Sequence, residues 1–203
     1  MLLRYGLTVA LAIAVPVSSA SAFFWLTKQD ADRFSAKLQQ IVDFGNTPRA
    51  KTAAPAARST VLTDTELNAY FRYNAKEQIP VGIVDPTINA LGDGRVGGRA
   101  VVDLDAVRKQ KERGWLDPLS YLSGRMPITA SGTLTTRAGI GQFKLESAEL
   151  SGVTIPKTVL QELLSYYSRT KENPSGINMD DPFELPSRIQ EIRVGKAQAT
   201  VVQ

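Results

Sequence analysis

The chain has 203 residues, a formal net charge of +4, and neither cysteine nor histidine. Without Cys there is no disulfide framework, thiol nucleophile or lipidated cysteine, and without His the Ser-His-Asp and Cys-His arrangements and most zinc sites are excluded. So mild an excess of cations also falls short of the concentrated basic face that a nucleic-acid binder carries.

The first residues, MLLRYGLTVALAIAVPVSSASA, place one cation, Arg4, before an apolar stretch over 5–17 and small residues ending Ala20-Ser21-Ala22. That is the layout of a secretory signal cleaved after an A-x-A site. The apolar run is broken by Pro16 and is shorter than the ~20 residues of a spanning helix. A signal peptide over 1–22 and export to the periplasm or cell envelope are therefore expected. The rival is an uncleaved anchor helped by Phe23-Phe24-Trp25-Leu26.

An amphipathic helix is expected within 23–44, where Phe34, Leu38, Ile41 and Val42 form one stripe and Gly45 stands at its stop. The Ala/Pro-rich stretch 45–58 lacks apolar periodicity and reads as a linker to an α+β domain over 59–203. In VLTDTELNAYF (61–71), Thr63 and Glu66 have capping-box spacing ahead of a Leu67, Tyr70, Phe71 stripe. A strand over 79–91 follows, interrupted by Asp85-Pro86, which suggests a bulge or an edge position. Gly92-Asp93-Gly94-Arg95 supplies a hairpin turn, and the return strand 96–104 puts Val96, Gly98, Ala100, Val102 and Leu104 on one face. Residues 105–125 read as one or two short helices. A second long hairpin turns at 138–141, Pro156 starts a helix carrying Leu160, Leu163, Leu164 and Tyr167, and the C-terminal segment forms a last hairpin about Gly195-Lys196. Successive hairpins without β-α-β alternation predict an antiparallel sheet with helices on one face, an α+β fold.

One face of the second hairpin carries Ile128, Ala130, Gly132 and Leu134, and the neighbouring strand carries Gly98 and Ala100, with Ala148 a further small residue. Unfilled space of that size costs a few kcal/mol, so something occupies it. Either the Leu-rich helix lies close against the sheet, or an apolar groove there takes a lipid chain. On the second reading the candidate lining is Ala100, Val102, Ala130, Gly132, Leu134, Phe143, Leu145, Leu160 and Leu164. Arg108, Lys109, Lys111 and Arg113 precede Trp115, a pattern suited to a lipid headgroup or membrane interface, or else to a solvated helix with Trp115 packed inward.

Other motifs lack support. Ser168-Arg-Thr-Lys171 has S-x-x-K spacing, but the accompanying S-D-N and K-T-G elements are missing. Asn178 to Asp181 gathers oxygen ligands without the Gly and closing Glu of a calcium loop. The Gly-rich 92–98 stretch enters a strand, where a phosphate cradle needs a helix. Glu146 and Glu149 fall on opposite faces of a strand unless a bulge intervenes. No metal, cofactor or catalytic residue is expected.

Three stretches, VLTDTELNAYF, FKLESAELSGVTIPKTVLQELL and PFELPSRIQEIRVGKAQATVVQ, resemble the LmeA-type exported lipid-binding proteins, related to the tubular lipid-binding (TULIP, BPI-like) fold. The resemblance covers roughly residues 61–203. It implies a strongly curved antiparallel sheet wrapped around a long helix, and non-enzymatic binding of a phospholipid or glycolipid in the envelope, with peripheral membrane contact. The basic run 105–113 has no counterpart in that pattern. The alternative is an envelope structural or assembly protein with a fully packed core that binds a protein partner.

Overall fold

The computed structural model describes residues 26–47, 57–109, 123–171 and 173–203. The proposed signal sequence, most of the linker, and Lys111, Arg113 and Trp115 lie outside the described residues. Helix α1 spans Lys28–Asn46 and starts with a capping box in which Thr27 and Asp30 satisfy each other's backbone N–H groups. Strand β1 (Ser59–Thr63) leads into α2 (Asp64–Tyr73), whose capping box joins Thr63 and Glu66 as their spacing predicts. The two helices pack through small residues, Ala31 and Ala69, both fully buried, with the Phe34 and Tyr70 rings 4.9 Å apart. Helix α1 runs past Gly45. A Cβ there would lie 2.6 Å from the Ser187 backbone, so this glycine permits a close chain crossing and does not stop the helix.

Strands β2 (Ile83–Gly92), β3 (Arg95–Asp103), β4 (Arg125–Arg137), β5 (Ile140–Leu150) and β6 (Val153–Thr154) follow in order across an antiparallel sheet. Three of its connections are two-residue loops, Asp93-Gly94, Ala138-Gly139 and Ser151-Gly152, with both residues at positive φ. That is the hairpin turn whose twist matches the strands. The strand β3 stops one residue earlier than its pattern predicts: Leu104 is buried at the start of the short helix α3 (Leu104–Lys109). Helix α4 (Lys157–Ser168) begins after Pro156 and approaches the sheet along β5, and β7 (Phe183–Glu184) pairs with the start of β5.

A second antiparallel sheet has the order β1-β9-β8, from β8 (Glu191–Val194) and β9 (Gln198–Val202). It lies at the turn end of the long hairpins. The Thr136 hydroxyl donates to the Ile192 carbonyl and accepts from its N–H, and the Gly94 N–H reaches the Val194 carbonyl at 3.2 Å. The hydrophobic core sits here: Ile41, Ile189 and Val201 are buried, with Leu62, Leu185 and Ile192 packed around them. The fold is α+β with antiparallel sheets. Among the described residues no helix is long and apolar enough to cross a membrane.

Candidate functional site

Register places the small residues side by side. Gly98 pairs with Ala130, which pairs with Ala148, while Ala100 stands opposite Ile128 and Val102 opposite Met126. Gly132 faces Leu145 and Leu134 faces Phe143. Alternation then puts Ala100, Val102, Ala130, Leu134, Phe143 and Leu145 on one face of the sheet. Val102, Ile128, Leu134, Phe143 and Leu145 are all half-buried there, and Ala90, Gly132 and Ala148 are buried. Leu160 and Leu164 of α4 are likewise half-buried.

Gly132 requires a correction. A Cβ on it would lie 2.5 Å from Phe143 Cζ and 2.4 Å from the Lys144 carbonyl oxygen. The ring of a diagonal neighbour thus covers the glycine, the arrangement by which aromatics protect glycines within sheets. Gly132 is no hollow for a guest. Gly98 differs, because the nearest atom to its would-be Cβ is the Thr87 carbonyl at 3.7 Å. Gly98 therefore has room beside it, and its neighbours across and along the strands, Ala130 and Ala100, are small.

The opposite face is polar, and it too differs from expectation. Pairing of Ser131 with Ser147 and of Gly132 with Leu145 leaves Glu146 as an extra residue, a bulge. Glu146 consequently lies on the side of Glu149, where it accepts from Thr133 at 2.5 Å and pairs with Arg95 at 3.4 Å. These partners occupy its carboxylate in a sheet-surface network.

Of the basic cluster, Arg108 is ion-paired with Asp105, whose other oxygen accepts from the Gly124 N–H at 3.0 Å. Lys109 is exposed at the end of α3. The Ser168 hydroxyl donates to the Leu164 carbonyl at 2.6 Å and accepts from the Ile177 N–H at 2.7 Å, tying the helix end to the following loop. Asn178 and Asp181 bond one another across a turn, and Asp180 pairs with Lys157. Among the described residues no group of three or more acidic side chains is placed to hold a metal ion.

Sequence reasoning passes over the side chains that hold α2 to β2. Both carboxylate oxygens of Asp64 accept from the Ala90 N–H at 3.0 Å. The Asn68 amide accepts from the Ile88 N–H at 2.8 Å and donates to the Ile88 carbonyl at 2.9 Å. Four helical residues rise about 6 Å and two strand residues about 6.6 Å, so an i, i+4 polar pair on a helix matches alternate residues of a strand. Burial pushes the Asp64 carboxyl upward, an effect the Ala90 N–H only partly offsets. Burial also pushes Glu66 upward, but Lys37 at 2.7 Å and the Thr63 N–H outweigh it and hold the carboxyl below its ordinary range.

No family model matches the chain, and no curated protein does. One solved structure, described as a crystal structure of lipopolysaccharide binding protein, is similar over 77% of this chain at 14% identity and a TM-score of 0.22. The match spans 46% of that chain, under half its length. The superposition is too loose to define a common architecture.

Proposed function

We propose that the protein is an exported, non-enzymatic binder of a phospholipid or other lipid, which lays its hydrocarbon over the apolar face of β2 to β5. The reading rests on one observation: the large apolar side chains of that face are half-buried, and the centre between them is built from Gly98, Ala100 and Ala130. The TULIP-like resemblance supports it through the expected curvature of the sheet around a helix, the role in which α4 is cast. Acyl-chain burial then supplies affinity at about 0.8 kcal/mol per CH₂. The N-terminal 22 residues act as the signal peptide, so the mature protein in the periplasm or envelope has an intact mass that begins at Phe23.

Native mass spectrometry of protein purified from its own envelope, followed by organic extraction, is expected to return a bound lipid. Ala130→Phe fills the small-residue centre and is expected to abolish uptake while leaving the fold intact. Uptake equal to that of the unsubstituted protein would sink the proposal. Gly132→Leu is unsuited as a test, because the new side chain meets the Lys144 carbonyl oxygen and the Phe143 ring.

A second reading, an envelope assembly protein with its face fully packed, is favoured by the Phe143 ring over Gly132. It predicts lipid-free protein and no effect of Ala130→Phe on anything but stability.

A further inference from the structure

A cleft of about 680 Å³ opens beside β2, between the C-terminal half of α2 and the chain from Lys76 to Thr87. Its origin is local. Helix α2 is hydrogen-bonded to β2 at Ala90 and Ile88, through Asp64 and Asn68. Farther along, Asp85 adopts a φ of 47° and, with Pro86, breaks the register between Val84 and Thr87. A bulge of this kind bends its strand, and the space between that bend and Phe71 is the cleft. It shares Ile83 with the sheet's apolar face, but none of Ala100, Ala130, Leu134, Phe143 and Leu145 lines it.

The walls are apolar, from Leu26, Phe71, Ile79, Val81 and Val84, and the charged lining residues are Arg72, Lys76 and Asp85. The polar groups of the lining are unequally engaged. Asn68 is used on Ile88, and the Thr87 hydroxyl donates to the Arg99 carbonyl. Arg72 lies over the Tyr73 ring, 5.8 Å from its centroid. Neither cation has an ion pair with any described residue, and Asp85 has none either. Two cations against one carboxylate leave the site with a surplus positive charge beside an apolar wall. Its volume falls in the ordinary range of small-molecule pockets, about 300–1,000 Å³.

We infer that this cleft binds a single-chain amphiphile carrying one negative charge, of the fatty-carboxylate class, with its head at Arg72 and Lys76 and its chain against the apolar wall. Charge complementarity selects the head: a neutral alcohol leaves both cations unanswered, and a cationic amphiphile adds to the surplus. The site is separate from the sheet face of the proposed lipid reading and does not depend on it.

Calorimetric titration of the full chain with decanoate, decanol and decyltrimethylammonium, below their aggregation concentrations and at low salt, tests this. Decanoate is expected to bind at one site, and the others much more weakly. Arg72→Ala with Lys76→Ala, both at exposed positions, is expected to weaken decanoate by about tenfold or more, the loss of a hydrogen bond to a charged group. Val81→Asp, at a residue 62% exposed and thus safe for folding, is expected to abolish binding. Ala130→Phe is expected to leave decanoate binding unchanged, which separates this site from the sheet face. Absence of decanoate binding, equal affinity for decanol, or binding lost in Ala130→Phe but kept in the Arg72/Lys76 double variant would each overturn the inference.

Discussion

Gly132 and Phe143 act as a unit. Gly132→Ala raises strand propensity on paper, yet its new methyl group would sit within 2.5 Å of both the Phe143 ring and the Lys144 carbonyl. We expect it to destabilise the protein by about 1–3 kcal/mol, the usual cost of overpacking, measured by urea denaturation. The clash with a backbone oxygen means that Phe143→Ala recovers only part of that loss in the double variant, a direct reading of the coupling. Glu66 carries a pH dependence. Its folded carboxyl is held low, so the stabilisation it contributes is fully present above the ordinary glutamate value and is lost as the pH falls through the lower, folded one. Lys37→Met removes the cation that, together with the Thr63 N–H, outweighs burial. Its cost is expected to be about 1.5–3 kcal/mol at pH 7 and to shrink as the pH falls below the ordinary glutamate value and Glu66 protonates in both proteins. Asp64 has the opposite sign: its raised carboxyl favours the folded state more as the pH falls.

The contact between α2 and β2 also explains how a strand edge is kept from misuse. Open edges template pairing with other chains, and here Asn68 and Asp64 occupy the Ile88 and Ala90 groups that would do so. Pro86 removes a further donor. Asn68→Ala is therefore expected to cost about 1–3 kcal/mol, the penalty for unsatisfied buried groups, and to raise light scattering on storage by freeing the edge. Elements of this kind were legible to different degrees. The Thr63/Glu66 box, the Asp85-Pro86 interruption and the glycine-bearing turns are local signals, and each has the structure its chemistry demands. Strand β1 escaped notice because Ser59 to Thr63 has no alternation of its own and becomes a strand only by pairing with β9. The bulge at Glu146 and the ring over Gly132 are likewise cross-strand events, invisible along a single segment. The cleft at Arg72 and Lys76 was missed for the same reason, since it joins a helix end to a strand bend.

At the scale of the molecule, what unites the parts is a small core. Ile41 of α1 meets Ile189 and Val201 beneath the three-stranded sheet, and the Gln203 amide donates to the carbonyls of Ile41 and Ser187 at 2.8 and 2.7 Å. Ile41→Ala is expected to cost about 2–5 kcal/mol and to make α1 the first segment cut in limited proteolysis. Much of the remaining apolar area is only half-buried, so this cluster bears an unusual share of the stability. The central strand of that sheet, β9, comes after every other described element in the chain, yet β1 and β8 are joined only through it. A nascent polypeptide therefore cannot close its core until residues 198–202 have emerged, however long its earlier hairpins have existed. Premature termination before Gln198 would leave two orphan strands and strip Ile41 of its Val201 partner, a product fit for degradation.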